Sequence, residues 1–152
     1  MFYCLVAGSR TINDYWLVRD GLDSLLSGIG DVTIVTGGAN GVDALAERYA
    51  RQHNLPLKVF PADWNKFGKS AGYRRNEQMH QFIAQFPNRG CVCFWDGQSK
   101  GTAHNFKLSE QYGTDLRVFR TDTQEVPFDP APVPVKVTSQ LPTQKELEET
   151  PF

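Results

Sequence analysis

The feature that most constrains the fold of this chain is a regular alternation of short apolar runs and amphipathic segments over residues 1–120. The runs are rich in β-branched and aromatic residues, which is typical of strands that are buried on both faces. They occupy residues 2–7, 32–36, 57–60, 91–95 and 116–119. The segments between them have helical periodicity, as at Val18, Leu22 and Leu25. Strict β-α alternation predicts a Rossmann-like α/β fold, a doubly wound parallel sheet of about five strands with flanking helices.

Residues 121–152 differ in composition from the rest of the chain. Six of the nine prolines and six acidic side chains lie there, and no strand or helical periodicity is sustained. We therefore divide the chain into one domain, residues 1–120, and a Pro-rich acidic tail, residues 121–152, which we expect to be extended or disordered. Residues 133–137 could lie along a neighbouring surface, but Pro134 excludes them from a central strand.

The domain is mildly basic, although the whole chain is slightly acidic because of its tail. Because residues 121–152 hold two basic and six acidic side chains, residues 1–120 have a net charge of +3, although the whole chain has −1. This excess is too small to indicate a broad nucleic-acid surface, so we do not expect nucleic acid to be the partner. It is sufficient for one compact anionic ligand if the arginines converge.

The composition also argues against other classes of function. Cys4, Cys91 and Cys93 lie in the apolar runs, where we expect buried free thiols. The three histidines do not have the spacing of a zinc site, so we expect neither a metal nor a resident cofactor. No stretch approaches the roughly 20 apolar residues of a membrane span, and the apolar start lacks a basic flank, which predicts a cytoplasmic protein with no membrane partner.

Three of the predicted strands end in loops that combine glycine with hydroxyl or amide side chains. The candidate ligand-binding residues of these loops are Gly8, Ser9 and Arg10; Gly37, Gly38, Ala39, Asn40, Gly41 and Asp43; and Ser99, Gly101 and Thr102. In a doubly wound sheet, ligands bind beyond the carboxyl ends of the strands. Glycine permits close backbone approach, and free N–H groups at a helix start attract phosphate. Three such loops on one edge predict a site for a nucleotide or another phosphate-bearing ligand.

The second of these loops also has a purely structural interpretation. Gly37, Gly38 and Gly41 would then only form a tight turn, in which Asn40 caps the next helix and Asp43 completes a capping-box-like pair. Taken alone, this loop does not distinguish a turn from a phosphate site.

The connection of residues 61–72 leads into a helix that we expect to begin near Tyr73. Arg74 and Arg75 would then lie in the first helical turn, where positive charge opposes the helix dipole. This placement favours an anionic partner in front of the arginines, with an ordinary solvated pair as the alternative. We expect Arg75 to face the ligand, so that its substitution impairs binding more than folding.

Other side chains near this edge are candidates for contacts with the ligand. Trp64 could stack on a base, or could simply cover the edge of the core. Asn76 shares a helical face with Met79, so we expect it to be half-buried and to anchor a loop. His104 lies beside Thr102 in the first turn of the last helix, either close to the phosphate site or as a surface histidine.

At these residues the chain resembles the SLOG superfamily, which joins the Smf/DprA DNA-processing proteins to the LOG nucleotide phosphoribohydrolases, and specifically its small YspA-related branch. The similarity covers about residues 2–120. It is carried by Gly8-Ser9-Arg10, by residues 37–46 and 71–79, and by Ser99-Lys100-Gly101-Thr102.

The resemblance implies a Rossmann-like protein, often a homo-oligomer, whose loops hold a small nucleotide or nucleotide-derived ligand. The phosphate would lie at Gly37, Gly38, Gly101 and Thr102. Arg75 would correspond to the arginine that LOG enzymes place before a spaced methionine.

The chain departs from the LOG hydrolases just after the Gly-Thr pair. Those enzymes have catalytic glutamates two and three residues further on, where this chain has His104 and Asn105. Hydrolysis of an N-glycosidic bond needs a carboxylate, which neither residue supplies. Whether the protein is an enzyme therefore stays open at this point.

Three functions remain to be separated. The leading one is binding of an ADP-ribose-like or cyclic nucleotide signal by a sensor, carrier or sequestering protein. The alternative is a nucleotide-processing hydrolase with a relocated carboxylate, for which Asp43, Asp63, Glu77 and Asp96 are available. The third is single-stranded DNA binding of the Smf/DprA kind, which the modest charge of residues 1–120 disfavours.

Overall fold

The computed structural model describes residues 1–122 and, by their backbone alone, residues 136–138. Their strands are β1 (Phe2–Gly8), β2 (Val32–Thr36), β3 (Leu57–Val59), β4 (Arg89–Trp95), β5 (Asp115–Arg120) and β6 (Lys136–Thr138). These strands form one sheet in the order β3-β2-β1-β4-β5-β6. The first five are parallel, and β6 pairs antiparallel with β5. The predicted doubly wound sheet of five parallel strands is confirmed.

Helices cover both faces of this sheet. They are α1 (Tyr15–Leu26), α2 (Val42–Gln52), α3 (Trp64–Phe67), α4 (Ala71–Ile83) and α5 (Lys100–Tyr112), with a 3₁₀ turn at Gly68–Ser70. Alternate residues of β1 show the division, because Cys4 and Val6 pack with α1 and α2 while Leu5 and Ala7 pack with α4 and α5. Burial on both faces explains why the central strands are apolar throughout.

The start of α4 differs from the expectation. The helix begins at Ala71 rather than near Tyr73. Its N-cap residue is Ser70, a favoured type at this position, but the Ser70 hydroxyl donates to the Phe67 carbonyl at 2.9 Å and does not cap the helix. Arg74 and Arg75 are consequently the fourth and fifth residues of the helix, and Arg75 belongs to its second turn. The argument that both arginines oppose the dipole in the first turn is therefore wrong for Arg75.

The expected tail lies mostly outside the described residues, which include only residues 121, 122 and 136–138 of it. The three residues of β6 pair with β5 and stand last in the strand order, whereas Pro134, on which the expectation for residues 133–137 depends, lies outside the described residues. A domain boundary at residue 120 stays a prediction.

All three cysteines are buried free thiols. Cys91 and Cys93 lie on the same face of β4, with their Sγ atoms 3.8 Å apart. Within residues 1–122 and 136–138, no three or more His, Cys, Asp or Glu side chains are grouped so that they could hold a metal ion. None of the described helices has the length and apolar character that crossing a membrane requires.

The winding of the sheet reverses between β1 and β4. From β1 the chain proceeds through β2 to β3 on one side, whereas β4 and β5 lie on the other side of β1. At such a switch point the loops beyond the two carboxyl ends separate and leave a crevice. The crevice is where a doubly wound sheet binds ligands.

Candidate functional site

A cleft of about 210 Å³ opens at this switch point, beyond the carboxyl ends of β1 and β4. Many of the predicted ligand residues line it: Gly8, Ser9, Arg10, Ala39, Asp43, Arg75, Asn76, Ser99, Gly101 and Thr102. They come from the connections that follow β1, β2 and β4, including the end of β1 and the first turns of α2 and α5, and from α4. These parts of the chain are distant in sequence. The fold thus brings the three glycine-containing loops together at one edge.

The other predicted ligand residues lie outside the lining of the cleft: Gly37, Gly38, Asn40, Gly41, Trp64 and Arg74. Asn40 does not cap α2, because the N-cap is Gly41 and no side chain accepts a hydrogen bond there. Arg74 donates from Nε to the Ser70 hydroxyl at 3.1 Å and lies over the Phe67 ring, away from the lining.

The loop after β1 is held by Ser9, which is buried. Its N–H donates to the Phe94 carbonyl at 3.1 Å, and its own carbonyl accepts from the Val42 N–H at 3.4 Å. Its hydroxyl accepts from the Asp96 N–H at 3.2 Å. These three bonds tie the loop to β4 and to the start of α2, and Arg10 lies on the rim of the cleft.

Two glycines let α2 begin directly against this loop. A Cβ atom at Gly8 would lie 2.4 Å from Cγ2 of Val42, and one at Gly41 would lie 2.5 Å from the Ser9 carbonyl oxygen. Gly41 also has a φ of +75°, which side chains other than glycine rarely adopt. The N-terminal end of α2 therefore lies at the cleft because these positions lack side chains.

The loop after β4 is organised by Asp96. Its Oδ1 accepts from the N–H groups of Gln98 at 2.9 Å and Ser99 at 3.0 Å, and its Oδ2 accepts from the Thr11 hydroxyl at 3.4 Å. Ser99 is the N-cap of α5, and its hydroxyl accepts from the Thr102 N–H at 3.3 Å. The N-terminal end of α5 consequently opens onto the cleft beside the loop from β1.

The floor of the cleft holds two buried groups of opposite charge, Asp43 and Arg75, which are 5% and 7% exposed. Burial raises the pKa of Asp43 to about 6, although the charge of Arg75 and the Ala39 N–H, which donates to Oδ2 at 3.2 Å, act in the opposite direction. Burial also lowers the pKa of Arg75, and Asp43 opposes this shift. The negative charge of Asp43 therefore partly offsets the positive charge of Arg75 within the protein.

Hydrogen bonds hold Arg75 in place. Its Nη1 donates to the Gly37 carbonyl, and its Nε donates to Oδ1 of Asn76 at 2.9 Å. A Cβ atom at Gly37 would lie 2.5 Å from the guanidinium, so only glycine admits this contact. Asn76 is 3% exposed, more deeply buried than expected, and donates from Nδ2 to the Gly101 carbonyl at 3.2 Å, so it anchors the first turn of α5 rather than a loop.

The side chains of His104 and Asn105 lie in different surroundings. Asn105 lines the cleft, donates to the Gly101 carbonyl at 3.1 Å and pairs through Oδ1 with Nε2 of the buried His80 at 2.9 Å. His104 lies outside the lining and packs edge-on against Tyr73. Burial lowers the pKa of His104 to about 4, so its ring is neutral at pH 7. Neither residue brings a negative charge to the cleft.

The lining includes residues that were not among the predicted ligand contacts: Ala7, Thr11, Met79, Asp96, Gln98 and Asn105. A signal existed for the loop of Asp96, because Asp before Gly and Ser is typical of a turn in which the carboxylate accepts nearby backbone N–H groups. Thr11 gave no signal beyond its position after Arg10. Ala7 and Met79 reach the cleft as parts of the apolar core.

Comparison with known proteins agrees with this architecture. Residues 3–67 match the profile of YAcAr, described as the YspA, cpYpsA-related SLOG family. Over 115 residues the chain is 36% identical to the Gene 61 protein of Mycobacterium phage D29. The aligned region covers 72% of this chain and 89% of the phage protein.

Among solved structures, the chain is similar to DNA processing protein A (DprA) from Streptococcus pneumoniae, with a TM-score of 0.52 and 17% sequence identity. The match covers 87% of this chain and 52% of the DprA chain, so this chain spans about half of DprA. At that identity the likeness concerns the fold alone. The profile match and the phage relative together show that the chain belongs to the YspA, cpYpsA-related SLOG family.

Proposed function

We propose that the cleft binds a small nucleotide or a nucleotide-derived ligand, such as an ADP-ribose-like or cyclic nucleotide signal, and that the protein senses, carries or sequesters it. The observation that carries this proposal is the convergence of the N-terminal ends of α2 and α5 on one cleft at the switch point. Helix N-termini and glycine-containing strand-end loops are the parts of α/β folds that hold phosphate. Membership of the SLOG superfamily supports the same class of ligand.

The charges in the lining indicate which arginine would contact the phosphate. Arg75 is buried, is bound by Gly37 and Asn76, and is offset by Asp43. Arg10 is exposed at the rim of the same cleft. We therefore assign the main charge-assisted contact with the phosphate to Arg10 and a supporting role in the floor to Arg75.

We expect nucleotides to raise the melting temperature of the protein. A ligand that binds only the folded state stabilises it by about 2.7 kcal/mol at a hundredfold excess over its dissociation constant. The measurement is thermal unfolding with AMP, ADP, ADP-ribose and cyclic AMP, followed by titration calorimetry of those that shift the transition. If none of a broad panel of nucleotides gave a shift or a heat of binding, the proposed function would be wrong.

One observation favours a hydrolase as the second candidate. Asp43 is a carboxyl in the floor of the cleft, and burial brings its pKa to about 6, within the range in which a carboxylate can exchange protons near neutral pH. Two other carboxyl groups fit less well, because Asp96 accepts two hydrogen bonds from its own loop and one from Thr11, and Asp63 caps α3. Mass spectrometry of nucleotides after incubation separates the two candidates, since a binding protein returns its ligand unchanged.

The raised pKa of Asp43 predicts a specific pH dependence of folding stability. Between the ordinary pKa of an aspartate and about 6, the folded state binds the proton more tightly than the unfolded state, so this group makes stability fall as pH rises through that window. We expect the difference in stability between the native protein and Asp43→Asn to change from pH 4 to pH 6.5 and then to level off. His104 titrates in the same window in both proteins, so its effect cancels in the difference. A constant difference between the two urea-unfolding profiles over this range would contradict the assignment.

A further inference from the structure

A tryptophan stands exposed beside the cleft. Trp64 is the first residue of the short helix α3, and 46% of its surface is accessible. Asp63 fixes this helix, because its Oδ1 accepts from the Lys66 N–H at 3.0 Å. A side chain with so much exposed indole surface adds little to the core, so covering the core does not explain its position.

Arg10 connects this tryptophan to the cleft. It belongs to the lining of the cleft, and its guanidinium carbon lies 5.6 Å from the centre of the Trp64 ring. The guanidinium of Arg48 approaches Tyr15 much more closely, to 3.9 Å from the ring centre. Arg10 therefore does not seal the indole face, and the rim of the cleft continues onto an open aromatic surface.

The neighbourhood of Trp64 is positively charged and aromatic. Arg74 lies 4.5 Å and Lys66 5.1 Å from the centre of the Phe67 ring, on the same short segment of chain. Cations and aromatic rings in alternation are suited to a ligand that combines a flat base with phosphate.

The cleft is too small to enclose a whole nucleotide. A volume of about 210 Å³ is below the roughly 300–1,000 Å³ of sites that enclose a whole drug-sized ligand. A nucleotide whose phosphate and sugar occupy the cleft would have its base outside it, at the rim where Arg10 and Trp64 lie.

We propose that Trp64 and Arg10 form a base-binding subsite adjoining the cleft, in which the indole stacks on the nucleobase while Arg10 bridges to the phosphates. This inference rests on the proposed function and adds to it that the base contributes to affinity. The base could belong to a free nucleotide or to the end of a single-stranded nucleic acid, and both would use the same stacking chemistry.

The test measures the affinities of ADP, inorganic pyrophosphate and a short oligodeoxyadenylate for the full chain and for Trp64→Ala. Stacking of one base predicts that Trp64→Ala weakens ADP binding about fivefold to a hundredfold and pyrophosphate binding less than about twofold. Trp64→Phe, which keeps an aromatic face, should retain most of the affinity for ADP. Trp16→Ala is the matched control, because Trp16 is also exposed and has an arginine, Arg19, over its ring at 4.6 Å. Arg19 does not belong to the lining of the cleft, whereas Arg10, which lies over Trp64, does.

Fluorescence gives an independent readout. In a Trp16→Phe background, Trp64 is the exposed tryptophan that remains, since Trp95 is buried. We expect ADP to quench its emission and pyrophosphate not to do so. Tighter binding of the oligonucleotide than of ADP, with the same dependence on Trp64, would support the subsite and identify nucleic acid as the source of the base.

Two results would overturn the inference, and they are distinguishable. If ADP bound the native protein and Trp64→Ala with equal affinity, the base-binding subsite would be wrong while the proposed function stood. If no nucleotide, pyrophosphate or oligonucleotide bound at all, the proposed function would fail and the subsite with it.

Discussion

Replacement of Gly41 by alanine is expected to destabilise the protein by about 3–5 kcal/mol, a large part of the stability of a domain of this size. Gly41 has φ +75° and ψ −129°, a conformation that costs other residues about 1–3 kcal/mol. The added Cβ would also lie 2.5–2.6 Å from backbone atoms of Ser9 and Arg10, which cannot move aside as a flexible side chain could.

Urea unfolding of Gly41→Ala beside Gly28→Ala checks this expectation. A Cβ atom at Gly28 would meet no atom within 4 Å, and the φ of this residue is not positive, so we expect a change within about 0.5 kcal/mol. Equal stability of the two variants would show that Gly41, at the start of α2, does not lie in close contact with the backbone of Ser9 and Arg10.

Replacement of Arg75 by methionine should cost about 3–5 kcal/mol near pH 8 and clearly less near pH 5. At pH 8 the variant leaves the Asp43 carboxylate buried without its opposite charge, and it leaves the Gly37 carbonyl without this donor. At pH 5 Asp43 is protonated, because its pKa of about 6 can only rise when Arg75 is removed. A neutral Asp43 interacts only weakly with the charge of Arg75, so the substitution removes less stabilising energy at pH 5 than at pH 8.

The adjacent arginine provides the control for this experiment. Arg74 is exposed and bonds to the Ser70 hydroxyl, so Arg74→Met should change the free energy of unfolding by no more than about 0.5 kcal/mol at either pH. A loss of stability in Arg75→Met that did not depend on pH would mean that packing, and not the charge of Asp43, explains the role of Arg75.

From the sequence alone we expected substitution of Arg75 to impair binding more than folding. Because Arg75 is buried, we now expect its substitution to reduce the stability of the folded protein as well. A signal for this existed: Arg75, Met79 and Ile83 are spaced four residues apart, and all three lie on the buried side of α4. The helix pattern therefore separated Arg75 from Arg74. An arginine in an apolar stripe is easily taken for a ligand contact when its partner is unknown.

The parallel strands, the helices between them and the positions of the loops could be predicted because they depend on local patterns. Apolar runs, helical spacing and glycine at strand ends placed Gly8, Ser9 and Ser99 at one edge of the sheet. The proximity of the buried charges of Asp43 and Arg75 could not be predicted, because it depends on how α4 packs beside the start of α2. The Asn105–His80 contact likewise joins two helices whose relative rotation no sequence period specifies.

A chain of hydrogen bonds across the floor of the cleft lowers the entropy that the protein loses when a ligand binds. They run from the Gly37 carbonyl through Arg75 and Asn76 to Gly101, and from there through Asn105 to His80. The loop after β2 and the first turn of α5 are therefore held at a fixed separation before any ligand arrives. Ordering of these walls is completed during folding, so a ligand binds a preorganised receptor and loses mainly its own freedom of motion.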